Sequence, residues 1–192
     1  MIKKISAVFV LLLFIVFSSF IKYKDISKYD IVSGIALDFD GKKWTVLCEV
    51  CLPSSTNDFG SSAEYVKGSD FTLENALYNA GLKSNNVLYI ESAQLYIIGE
   101  KALQKSDELE NFFMRKDSNL RAIVVTSHKN VEEILQQEKE GETRAKSLSL
   151  AEKLKSFCKE NNYDMPHVMN FLKDGGSVRI SNDGLIERRA GA

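Results

Sequence analysis

Asp30 to Asp38 reads DIVSGIALD, and Lys43 to Leu52 reads KWTVLCEVCL. Both runs are rich in Ile, Val and Leu and suit extended backbone. Between them, Phe39-Asp40-Gly41-Lys42 carries a D-G turn signal. The spacing predicts a β-hairpin over residues 30–52. Asp38 and Asp40 flank the turn and read as turn formers, not as a pair of catalytic acids.

Downstream, strand-like and helix-like patterns alternate. Pro53 to Gly68 holds Ser, Asn, Asp and Gly and reads as an exposed loop. Ser69 or Asp70 suits the cap of a helix that carries Leu73, Ala76, Leu77 and Ala80 on one face. Gly81 suits its end. Val87 to Gly99 is a strand-like run interrupted by Glu91 and Ser92. Helical spacing returns from Glu100 to Arg115, and Arg121 to Thr126 (RAIVVT) reads as a buried strand. Lys129 to Glu140 and Ser147 to Asn161 are further amphipathic helices, joined by a charge-dense linker from Glu138 to Lys146. Val178 to Ile180 can pair with Leu185-Ile186 around Asn182-Asp183-Gly184. This alternation predicts an α/β (α+β) fold: a mixed β-sheet opening with a hairpin and covered by amphipathic helices. The expected division is 1–22 as signal or anchor, 23–140 as an α/β domain, and 141–192 as a helix followed by a possible hairpin.

Ahead of the hairpin lies ISAVFVLLLFIVFSSFI, Ile5 to Ile21, with no charge and no proline. Seventeen residues of helix would rise about 26 Å, against a hydrocarbon core of about 30 Å. The run is longer than the apolar part of a usual secretory signal and lacks a clean small-x-small site. It is expected to be an uncleaved N-terminal hydrophobic helix anchoring the chain in a membrane. Cleavage and secretion is the alternative. Either outcome places residues 22–192 outside the cytoplasm or on a membrane surface.

The formal net charge is −1, and no basic stripe stands out, so nucleic acid is not an expected partner. Cys48 and Cys51 form a C-x-x-C, but strand periodicity places them on opposite faces, and no helix follows to activate a thiol. His128 and His167 are the only histidines, and neither sits in a ligand or catalytic motif. No phosphate-binding glycine loop occurs. No cofactor, metal or catalytic residue is therefore expected. Arg115, Asp117 and Arg121 cluster at a helix-to-strand turn, as an ion-pair network or as a contact patch.

The order of segments resembles a known family. IVSGIALDFDGKKW (Ile31 to Trp44), LENAL (Leu73 to Leu77), LYIESAQLYIIGE (Leu88 to Glu100), RKDSNLRAIVVTS (Arg115 to Ser127) and VEEIL (Val131 to Leu135) follow one another as in the Ger(x)C family. These proteins are the C subunits of bacterial spore germinant receptors, and the resemblance lies in their N-terminal domain. It implies a non-enzymatic, membrane-attached protein facing outward from the spore inner membrane. Its implied partners are the membrane and the A-type and B-type receptor subunits. The expected partner-binding residues are Glu91, Ser92, Arg115, Asp117 and Arg121. Three departures stand out. No cysteine lies at the end of the apolar run to take a lipid. Glu91-Ser92 replaces the family's usual Ser-His. The chain is also shorter than a full member, which reads as truncation. The alternative functions are a secreted or anchored hydrolase using His128 or His167, and a thiol redox module on Cys48 and Cys51.

Overall fold

The computed structural model describes residues 26–52, 62–136, 145–174, 178–180 and 186–188. Strands β1 (Tyr29–Phe39) and β2 (Trp44–Cys51) form the expected hairpin, with Phe39 opposite Trp44. Asp40 holds the turn by accepting the Lys42 and Lys43 N–H groups, each at 2.7 Å. Gly41 takes the positive φ of 104° that the turn needs. Asp38 does not act in the turn in this way. It is half-buried, accepts the Phe39 N–H at 2.9 Å, and lies against Gly99.

Residues 63–70, expected within a loop, form strand β3 (Ala63–Asp70), antiparallel to β2. Its sequence, AEYVKGSD, hides the strand because only Val66 and Gly68 are buried. Gly68 has no side chain because a helix lies directly on it. A Cβ there would sit 2.1 Å from the Ala76 carbonyl oxygen. The remaining strands are β4 (Val87–Tyr89), β5 (Leu95–Gly99), β6 (Ile123–Ser127), β7 (Val178–Ile180) and β8 (Ile186–Arg188). The eight strands of the described residues join one mixed sheet, in the order β3-β2-β1-β5-β6-β7-β8, with β4 beside the first part of β1. Strands β1, β4, β5 and β6 run parallel, so all four begin at the same end of the sheet.

Among the described residues, five α-helices cover the two faces: α1 (Leu73–Gly81), α2 (Ser106–Phe113), α3 (Val131–Gln136), α4 (Lys146–Glu160) and α5 (Val168–Asp174). The cap of α1 is Thr72, whose hydroxyl accepts the Asn75 N–H at 3.3 Å, and not Ser69 or Asp70. The reason is that β3 continues through Asp70. Alternate strand residues divide between two cores. Ile35, Leu37, Val46, Tyr96 and Ile98 pack with Leu73 and Leu77 of α1, Phe112 and Phe113 of α2, and Phe171 of α5. Ala36, Leu47, Leu95, Ile97 and Val125 pack with Ile134 and Leu135 of α3 and Leu150 and Leu154 of α4. Each fully buried aliphatic side chain contributes about 1.5–3 kcal/mol.

Within residues 141–192, α4 packs on the second face, and β7 pairs with β6. The apolar run Ile5 to Ile21, most of the expected linker, and the turn 182–184 lie outside the described residues. Among the described residues, no helix is long and apolar enough to cross a membrane.

Candidate functional site

The five expected contact residues lie on the segments that precede β5 and β6. Arg115 grips Asp117 with two parallel bonds, Nε to Oδ1 and Nη2 to Oδ2, each 3.0 Å long. Its Nη1 also lies 3.7 Å from Glu74 on α1. A two-pronged guanidinium–carboxylate pair is the stronger kind of ion pair and fixes the turn. Ser118 Oγ donates to the Phe112 carbonyl at 2.8 Å, which ties the turn to the end of α2.

Asn119 links this turn to the other candidates. Its Nδ2 donates to the Ala93 carbonyl at 2.8 Å, and its Oδ1 accepts the Arg121 N–H at 3.0 Å. Ala93 directly follows the short 3-10 turn Ile90–Ser92. The two loops therefore form one surface. Glu91 and the Arg121 side chain are exposed on it. A hydrogen bond to Glu91 pushes the Tyr89 phenol up. Ser92 points inward instead, its hydroxyl within 2.8 Å of the Val32 carbonyl and 2.6 Å of the Tyr89 carbonyl. It builds the turn more than it presents a contact. Beside Arg115 is a cleft of about 310 Å³, lined by Thr72, Leu73, Glu74, Glu108, Asn111 and Phe112.

The groups proposed for chemistry are placed elsewhere. Cys48 belongs to the core under α1 and α2, whereas Cys51 lies with Ala145 and Leu148 before and within α4. The two thiols thus sit on opposite faces of the sheet, and neither is in a disulfide. Burial pushes Cys48 up to about 12 and raises Cys51 as well, the reverse of an activated thiol. His128 is exposed and pairs through Nδ1 with the Glu100 carboxylate. Nearby, Ser127 Oγ accepts the Lys129 N–H at 3.1 Å. His167 bridges to Ile123 through its backbone, and its Nδ1 is buried. Asp38 is raised above the usual carboxylate range by burial. Among the described residues, no group of three potential ligands could hold a metal ion.

One polar residue with a large role went unnoticed in the sequence. Glu49, in β2, is fully buried. It accepts hydrogen bonds from Ser33 Oγ at 2.8 Å, the Lys146 N–H at 2.6 Å and the Ser147 N–H at 2.9 Å. The Ser147 hydroxyl and, at 3.3 Å, the Tyr65 hydroxyl also reach it. Ala145 offers α4 no side-chain cap, so Glu49 caps this helix from another strand. The available signal was an acidic residue inside an otherwise apolar strand, which requires buried donors.

A family described as the spore germination protein N-terminal domain matches residues 22–175. No curated protein matches the chain, and no solved structure does.

Proposed function

Because this chain belongs to the Ger(x)C family of spore germination proteins, we propose that it is a membrane-tethered, non-enzymatic component of a germinant receptor. The family match over residues 22–175 is the observation that carries this reading. The tether is the apolar run Ile5 to Ile21, which holds the α/β fold on the outer side of the spore inner membrane. Lys3 and Lys4 stay inside.

The chain acts through contacts with A-type and B-type membrane subunits. Glu91, Arg115, Asp117 and Arg121 supply the polar part of that contact surface, and Ser92 shapes it. Two features support this. The surface is rigid before any partner arrives, because Asn119 and the Arg115–Asp117 pair brace it. It also lies at the sheet end where β1 begins, and Tyr29, the first residue of β1, follows the end of the proposed tether by eight residues. Preorganisation of this kind lowers the ordering cost of association. Spores lacking this chain should fail to respond to at least one nutrient germinant and respond normally to a trigger that bypasses the receptors. An unchanged nutrient response across all germinants would contradict the proposal.

A further inference from the structure

The end of the sheet where β1, β4, β5 and β6 begin carries a second pattern. Leu82, Val87 and Leu120 are large apolar residues exposed there at 66%, 63% and 43%. Val87 opens β4 opposite Tyr29, the first residue of β1. Leu120 lies between Asn119, which bonds Ala93 ahead of β5, and Ala122, which leads into β6. Leu82 is two residues from Ser84, whose hydroxyl bonds Asp30 near the start of β1. Their setting is basic. Lys28, Lys83 and Arg121 are exposed around them. Two acidic groups lie nearby, Asp30, which accepts from the neutral Ser84 and Asn86 side chains, and Glu91, which is exposed, so three cations stand against two carboxyl groups.

The chain enters at this same end. Tyr29, where β1 begins, is eight residues beyond Ile21, and extended backbone spans at most about 3.6 Å per residue, so the separation is roughly 29 Å or less. If Ile5 to Ile21 is in the bilayer, the start of β1 therefore cannot leave the headgroup region by more than that. Exposed aliphatic residues ringed by Lys and Arg complement an anionic lipid surface. The aliphatic side chains enter the headgroup–acyl boundary and the cations meet lipid phosphates.

We propose that this end of the fold rests on the membrane, with Leu82, Val87 and Leu120 inserted and Lys28, Lys83 and Arg121 against anionic headgroups. The proposal rests on the tether reading above and adds an orientation to it. The sheet stands with its amino-end loops on the lipid. Its opposite end, with Phe71, His128 and Glu100, points away. Arg121 then borders both the lipid and the subunit contact.

The test uses the full chain reconstituted in vesicles. The native thiols are all buried, so a cysteine introduced at the surface takes a label selectively. A polarity-sensitive fluorophore is placed on Val87→Cys, on Leu120→Cys and, at the far end, on Phe71→Cys. In vesicles containing phosphatidylglycerol, the probes at 87 and 120 should shift to the blue and be quenched by a lipid-borne quencher, while the probe at 71 does neither. The combined Lys28→Glu, Lys83→Glu and Arg121→Glu variant should lose that shift, as should vesicles of phosphatidylcholine alone. A chain that does not float with the vesicles overturns the tether reading and this one with it. A chain that floats while the probes at 87 and 120 remain as wet as the probe at 71 overturns the orientation alone. Burial of those probes only after receptor subunits are added would make the surface a protein contact and also overturn it.

Discussion

The carboxylate of Glu49 in β2 accepts the backbone N–H of Ser147 at 2.9 Å, joining residues 98 positions apart at the first turn of α4. Gly34, opposite Glu49 on β1, makes room for this approach. A Cβ at Gly34 would lie 2.4 Å from the Ser147 Cβ. The second core depends on this junction, because α4 brings Leu150 and Leu154 to it.

Glu49→Ala leaves two buried N–H groups and the Ser147 hydroxyl without their acceptor, whereas Ser33 keeps the backbone carbonyl of residue 49 and Tyr65 the Leu135 carbonyl. Each buried donor left unsatisfied costs about 1–3 kcal/mol, so the summed loss is a large share of the stability of such a domain. Urea titration should show that loss. A loss below about 1 kcal/mol, the scale of one ordinary hydrogen bond, would mean that α4 is held by its apolar face alone.

Gly34→Ala should cost about 1–3 kcal/mol by overpacking against Ser147. In the background of Glu49→Ala, where the helix start is already released, the same change should cost much less. Additive losses in this double-mutant cycle would show that the two residues act on separate features.

Leu77→Asp should unfold the domain. Leu77 lies in the first core, on the buried face of α1. An unpaired carboxylate there costs several kcal/mol, comparable with total stability. Circular dichroism settles the matter, since melting near the parent temperature would mean that α1 is not packed on the sheet.

Cys48 sets a dependence on alkaline pH. Its thiol, with an ordinary value of 9.0, is pushed up to about 12 by burial in the folded chain. Between those values the unfolded chain releases the proton and the folded chain keeps it. Stability therefore falls as pH rises through this window, by about 1.4 kcal/mol per unit from this group, and is unaffected by it at lower pH. Tyr96 is raised by burial too and acts in the same direction. The comparison is therefore between parent and Cys48→Ala. The variant should show a shallower decline above pH 9, and identical slopes would contradict the assignment.

Elements whose signal is local were legible in the sequence. The β1–β2 hairpin follows from its D-G turn and its apolar flanks, and α1 and α4 from their helical spacing. Strand β3 was hidden because it is an edge strand with a polar outer side, and because Gly68, a strand breaker by propensity, is there to admit α1. The capping of α4 by Glu49 depends on a contact between residues nearly a hundred positions apart, and local periodicity carries no trace of that. Arg115 and Asp117 were recognised as a cluster because a two-residue spacing at a turn is itself local. The inward turn of Ser92 was not, because its acceptor on Val32 comes from a parallel strand sixty residues earlier.

Affinity capture decides whether this chain belongs to a receptor assembly in the membrane. The tagged full chain is recovered from detergent-solubilised membranes of dormant spores, beside a variant carrying Arg115→Glu and Asp117→Lys. A-type and B-type receptor subunits should appear in the capture with the parent chain and be depleted with the variant. Recovery of the parent chain from those membranes without any receptor subunit would contradict it.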